Sequence, residues 1–237
     1  MTFHEPHIRI LLNPKYEHLR PYLANIEEHF EREGKEIYRD RNVLRTLCVD
    51  GLNICVKRYA QLSLRSQMAV NFYKSPKGKK AYIKPLELRE RGFESPEPIA
   101  FVKYRRGLIH VTNYFVCLQS TYRYSLANIL SFELPERDEI TRSFAAYAAR
   151  LHEEGFLHRD LTAADVLFDK VNDRYHFSLI DTNSMHTGRT VSVERGCANL
   201  ARLVGDDHFF NLLAETYAER RNVNPGFCLE CFRKARA

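Results

Sequence analysis

The feature that most constrains the fold is a pair of neighbouring stretches, "LHRDLTAADVLFD" (Leu157–Asp169) and "FSLIDTN" (Phe177–Asn183). The first sets Asp160 and Asp165 five residues apart. The second ends an apolar run with Asp181. Carboxylates brought to one place repel each other, so a chain that collects them needs a compensating cation. Oxygen donors of this kind suit a hard divalent ion such as magnesium, which keeps part of its shell for water or phosphate. The segment before them, "LPERDEITRSFAAYAARLHEEG", carries Pro135 and several acids at its start and Gly155 at its end, which predicts a helix. Ile140, Phe144, Tyr147 and Leu151 recur at helical spacing and give that helix a core face.

The chain before this helix has a different periodicity. "VLRTLCVDGLNICVKRYA", Val43 to Ala60, alternates with period two and breaks at Asp50-Gly51, which predicts a hairpin. On its second strand Leu52, Ile54 and Val56 share one face, and Asn53, Cys55 and Lys57 the other. "SPKGKKAYIKPLELRERG" suggests a helix ending near Gly92 and shortened or bent by Pro85. "IAFVKY" and "LIHVTNYFVCL", joined by Arg105-Arg106-Gly107, suggest two more strands. Further on, "RYHFSLIDTN" suggests a strand with Phe177, Leu179 and Asp181 on one face, and "GCANLARLVGDDHFFNLLAETYAERR" one or two helices. Strands early and helices late argue for an α+β chain, with a β-rich N-lobe over 1–120, a helical C-lobe with a compact C-terminal part over 121–237, and a cleft between them.

Composition narrows the function classes. The 237 residues suffice for a core that folds unaided, and 44% apolar against 28% charged residues is the balance of a globular protein. No apolar run approaches the roughly 20 residues of a bilayer crossing, and the first residues lack a cationic head followed by a continuous apolar stretch. The expected location is cytoplasmic, with peripheral attachment to the inner membrane. Net charge is +6. No acid stands between Asp50 and Glu87, whereas Lys57, Arg58, Arg65, Lys74, Lys77, Lys79, Lys80 and Lys84 are cationic. A field of one sign attracts an anionic membrane surface, and no recognised binding motif accompanies it to suggest nucleic acid. The six cysteines are most simply small buried hydrophobes. Cys228 and Cys231 form a C-x-x-C whose completion as a zinc site would need Cys197 or His208, and the structural alternative is preferred.

His158, Arg159, Asp160 and Leu161 match the H-R-D-L-x-x-x-N catalytic loop of protein kinases, with Asp165 at the Asn position. In that pattern Asp160 orients or accepts the hydroxyl proton, Asp165 and the D-F-G counterpart Asp181 hold magnesium, and a strand-borne lysine, here Lys57, meets the nucleotide phosphates. His158 and Arg159 support the loop. The bland alternative is a loop of satisfied polar residues.

With those motifs, "NPKYEHLRPYL", "DGLNICVKRY", "RGFESPEPIAF", "YAARLHEEGF", "HFSLIDTNSM" and "ERGCANLARL" resemble segments of the lipopolysaccharide kinase family, of the Kdo and heptose kinase type, over nearly the full length. The resemblance implies a protein-kinase-like two-lobe fold, ATP with Mg2+, and phosphorylation of a sugar hydroxyl on a lipid-linked acceptor, Kdo-lipid A or the inner core. The sequence departs from the kinase pattern at four points. Asp165 replaces Asn, Asn183 takes the Gly place of D-F-G, and "YRDRNVLRTL" has no G-x-G-x-x-G. Ile83 stands where the acid pairing with Lys57 is expected, leaving Glu87, one turn later, as its substitute. Those departures motivate the alternative of a pseudokinase or nucleotide-binding module without turnover. A protein or small-metabolite kinase is the other alternative.

Overall fold

The computed structural model describes residues 7–60, 77–106 and 110–236. The chain divides into two compact units, 1–87 with 96–120, and 88–95 with 121–237. The segment Leu88–Ser95 thus belongs with the second unit although it interrupts the first in sequence.

The first unit is built on an antiparallel sheet in the order β1-β5-β6-β4-β3-β2. Its strands are β1 (His7–Leu12), β2 (Lys35–Arg39), β3 (Val43–Val49), β4 (Leu52–Arg58), β5 (Pro98–Arg106) and β6 (His110–Leu118). The expected hairpin is β3–β4, paired from Val43↔Arg58 to Val49↔Leu52. Its turn puts Asp50 (φ 48) and Gly51 (φ 75) in the left-handed region, the two-residue turn whose twist suits paired strands. Ile54 and Val56 are fully buried and join a core with Val102, Tyr114 and Val116. Helices α1 (Arg20–Ala24) and α2 (Ile26–Arg32) cover that face through Leu23, Ile26 and Phe30. The Arg45 guanidinium donates to Phe30 O at 2.6 Å and sits 5.3 Å from the Phe30 ring. Helix α3 (Lys77–Glu90) runs on through Pro85, so that proline does not shorten it. β1 and the two short helices had not been expected. The alternation in "HIRILL", with Ile8, Ile10 and Leu12 packed on the core, is the signal for β1.

The second unit is mainly helical: α4 (Leu134–Glu153), α5 (Val193–Leu200), α6 (Asp207–Arg220) and α7 (Pro225–Arg236). The last helix had not been expected. On α4 Ile140, Phe144 and Leu151 are buried, and Phe144 lies 5.5 Å from Phe177. Short strands sit beside these helices: β7 (Tyr124–Ser125), β8 (Phe156–His158), β9 (Val166–Val171), β10 (Arg174–Leu179) and β11 (Met185–Thr187). β9 and β10 form a hairpin, and β8 pairs with β11 through His158↔Met185. One expectation is corrected here. The strand ends at Leu179, and Asp181 lies beyond it with φ 50 and ψ 39, so Asp181 does not share a strand face with Phe177 and Leu179. The left-handed turn redirects the chain, and a short polar residue such as Asp tolerates it better than a branched one.

Candidate active site

Regular geometry places Lys57. It lies on β4 opposite Leu44 and Phe115, on the face away from Ile54 and Val56, as the alternation predicts. Its ammonium sits 5.4 Å from the Tyr59 ring. Two residues back, Cys55 faces Cys117 across the strands, and its thiol is lowered by the bond with Cys117 and by the Lys57 charge. Glu87, the substitute acid, is held by Lys84 at 2.6 Å along the same helix. Where kinases carry a glycine-rich loop, "YRDRNVLRTL" forms the β2–β3 hairpin, closed by Asp40 N donating to Asn42 O at 3.0 Å.

The basic stretch is partly neutralised: Arg58 pairs with Glu31 and Lys84 with Glu87. Arg65, Lys74 and the side chain of Lys77 lie outside the described residues.

In the second unit Asp160 is exposed, two residues past the end of β8. The chain turns around it, with Leu161 N donating to His158 O at 3.2 Å. His158 is 1% exposed, and its Nε2 lies 3.3 Å from Ile180 O, which ties the loop to the residue before Asp181. Its Nδ1 is buried with no hydrogen-bond partner among the described residues. Arg159 is exposed and lies 3.4 Å from His186 Nδ1.

Asp165 closes a short 3-10 turn, Ala163–Asp165, as the acid of a capping box. Its Oδ2 accepts from Thr162 N at 2.9 Å and Thr162 Oγ1 at 2.7 Å, the reciprocal arrangement that satisfies donors at a helix start. Its main-chain carbonyl accepts from Ile180 N at 2.9 Å. The backbone of Asp165 is therefore bonded to the residue preceding Asp181. Burial raises the Asp165 carboxyl above its ordinary value; the Thr162 bonds and His158 oppose the shift, and the Asp181 charge adds to it. Asp181 accepts from Asn183 Nδ2. Two carboxylates on neighbouring stretches would offer oxygen donors, the kind that magnesium takes.

Among the described residues no three His, Cys, Asp or Glu side chains gather as a ready-made metal site. Cys197 and Cys228 contact each other through their thiols, while His208 bonds Asp138 at 2.7 Å.

Sequence reasoning missed the residues that hold this loop. Asn199 Nδ2 donates to His158 O at 2.8 Å, and an Arg202 N–H donates to Arg159 O. Ser95 Oγ donates to Leu179 O at 2.7 Å. Asn199 and Arg202 both stand in "ERGCANLARL", a segment that had been quoted only for its resemblance.

A family model described as "Lipopolysaccharide kinase (Kdo/WaaP) family" matches residues 81–205, more than half of the chain. The chain belongs to the lipopolysaccharide kinase (Kdo/WaaP) family. The match contains Glu87, His158, Arg159, Asp160, Asp165, Asp181, Asn199 and Arg202, whereas Lys57 precedes it. Among solved structures, "WaaP in complex with acyl carrier protein" is similar with a TM-score of 0.62 at 18% identity, over 96% of this chain and 98% of that one. A crystal structure of WbdD is similar with a TM-score of 0.50 at 16% identity, over 86% of this chain but 45% of that one. At these identities the likeness is one of fold, and the fold of this family member is the α+β kinase fold of WaaP. No curated protein sequence matches it. No described helix is long and apolar enough to cross a membrane.

Proposed function

We propose that this chain is an ATP-dependent kinase that transfers the γ-phosphate to a sugar hydroxyl, Kdo or heptose, of the lipopolysaccharide inner core on lipid A. Membership of a lipopolysaccharide kinase family supports the reaction class. The observation that supports the chemical assignment is the bond from Ile180, the residue before Asp181, to the Asp165 carbonyl, which sets the two acids on neighbouring stretches of chain where each feels the other's charge.

In this reading Asp165 and Asp181 hold magnesium, which neutralises charge on the nucleotide phosphates. Asp181 offers its carboxylate from a strained left-handed position. Asp165 offers the oxygen not engaged by Thr162. Asp160 orients the acceptor hydroxyl and receives its proton. His158 and Arg159 keep the loop in shape, and Lys57 neutralises nucleotide phosphate charge with Glu87 as its assigned acid. Phosphoryl transfer asks mainly for such positioning and charge compensation. The cationic residues Lys79 and Lys80 suit an anionic membrane surface on which a lipid-linked acceptor is presented.

One observation favours a second reading, a nucleotide-binding module without turnover. Asp165 adds a negative charge where kinases carry a neutral Asn, and its carboxyl is already raised. Purified protein incubated with ATP, magnesium and either Kdo-lipid A or heptose-bearing inner core separates the two. A phosphorylated lipid product, found by mass spectrometry, is the expected outcome. Nucleotide binding with no product would replace the kinase by the binding module.

A further inference from the structure

Two consecutive main-chain carbonyls lie immediately before Asp160, those of His158 and Arg159, and side chains three residues apart take both of them. Asn199 Nδ2 donates to the first at 2.8 Å and Arg202 to the second. Asn199 is 7% exposed, so the other end of its amide also needs a partner. That partner is His152, 1% exposed, whose Nε2 lies 3.4 Å from Asn199 Oδ1. His152 Nδ1 lies 2.9 Å from the Tyr217 hydroxyl, and Arg221 Nη1 donates to that hydroxyl at 2.6 Å. Arg221 is itself fixed by Val191 O at 2.7 Å and by Glu153 at 3.6 Å.

The chemistry of these groups orders every proton. A carbonyl only accepts, so Asn199 turns its NH2 to His158 O and its Oδ1 to His152. Oδ1 also only accepts, so His152 carries its proton on Nε2. A neutral ring then leaves Nδ1 bare to accept from the Tyr217 O–H, whose oxygen accepts from Arg221. Burial keeps the ring neutral, pushing His152 down to about 4. A small residue is also required where helix α5 crosses: a Cβ on Gly196 would lie 2.0 Å from the Tyr217 hydroxyl oxygen and 2.8 Å from His152 Nδ1.

We propose that Arg221, Tyr217, His152 and Asn199 form a one-directional hydrogen-bond relay, made possible by Gly196, that fixes the His158 carbonyl and thereby the placement of Asp160 for phosphoryl transfer. Its members are positioning residues, drawn from α4, α5 and the end of α6. The catalytic consequence rests on the role given to Asp160 above. The relay itself rests on the geometry alone.

The test has two independent arms. Nitrogen-15 histidine spectra of the intact protein at neutral pH are expected to show His152 as the neutral Nε2–H tautomer. The opposite tautomer, or an imidazolium, would overturn the relay. In the second arm, Asn199→Asp keeps the acceptor toward His152 and removes the donor toward His158. Turnover of Kdo-lipid A is expected to fall on the order of 10–100-fold while MgATP affinity stays within about twofold. Unchanged turnover, or an equal loss of MgATP affinity, would overturn the positioning role. Should Asn199→Asp fail to fold, Tyr217→Phe replaces it, with a turnover loss of about 3–10-fold, intact MgATP affinity and a retained Nε2–H tautomer of His152, still set by Asn199, expected; unchanged turnover would again overturn the positioning role. A wild-type protein that binds MgATP but phosphorylates neither Kdo-lipid A nor heptose-bearing inner core refutes the kinase reading, and the spectrum still decides the relay.

Discussion

The two units place the side chains proposed for the chemistry by different means. In the first, Lys57 is one position in a regular strand, and its direction follows from the same alternation that buries Ile54 and Val56. In the second, Asp165 and Asp181 stand outside regular strands, one in a 3-10 turn and the other with a left-handed backbone. Each is aimed by bonds from side chains such as Thr162 and Asn183. A position set by sheet register tolerates changes at a nearby turn. One set by individual hydrogen bonds depends on each of them.

The largest effect that would sharpen this contrast is expected within the second unit. Asp160→Ala should lower turnover by about 10²–10⁴-fold, the usual worth of a positioned acid or base, while magnesium-dependent nucleotide binding persists in equilibrium titration. Asp181→Asn should act on the other step, weakening magnesium-dependent nucleotide binding by about 10–100-fold, the effect expected of a lost ligand. Equal losses of binding in both variants would break the division of labour between base and metal ligand.

In the first unit the corresponding expectation is mild. A Cβ at Gly51 would meet nothing within 4 Å, so Gly51→Ala costs only the left-handed backbone, about 1 kcal/mol. Urea unfolding measures it, and nucleotide affinity should not change. A large affinity loss would show that Lys57 depends on more than its strand.

Acid is expected to act on the second unit in two stages. His152 is held neutral, at about 4 against about 6.5 in an unfolded chain. The unfolded state therefore takes up its proton first, and stability falls as pH drops from about 6.5 to about 4. Asp169 is held down to about 2 by the Arg123 guanidinium, which donates at 2.6 and 2.8 Å. Its contribution is complete above the unfolded value near 4 and is lost as pH falls from about 4 through about 2. The second stage is the smaller one, because Arg123 is largely exposed and solvent screens the pair. Thermal unfolding across pH, repeated with His152→Gln, should remove the upper stage alone.

How much could be read in advance follows the same division. Period-two alternation and Asp50-Gly51 specify the hairpin and the face of Lys57, and helical spacing specifies α4, because both signals are local. Asp160, Asp165 and Asp181 were legible as motif positions. The turn at Asp181 was not, because the apolar run before it continues the strand pattern to Ile180. Asn199 was invisible for another reason: its partner lies 41 residues earlier in sequence, and neither residue types nor spacing announce a carbonyl clamp. The β1 alternation was present in "HIRILL" but is only six residues long.

The bond from Asn183 to Asp181 bears on how quickly an ion can enter and leave. At rest the carboxylate is steadied by an uncharged amide, which surrenders an oxygen without leaving a stranded charge behind. A lysine in the same place would hold more firmly and compete with every arriving ion. On the proposed reading, a neutral amide beside Asp181 would compete less with an arriving metal ion than a lysine there would, which would favour exchange between successive nucleotides.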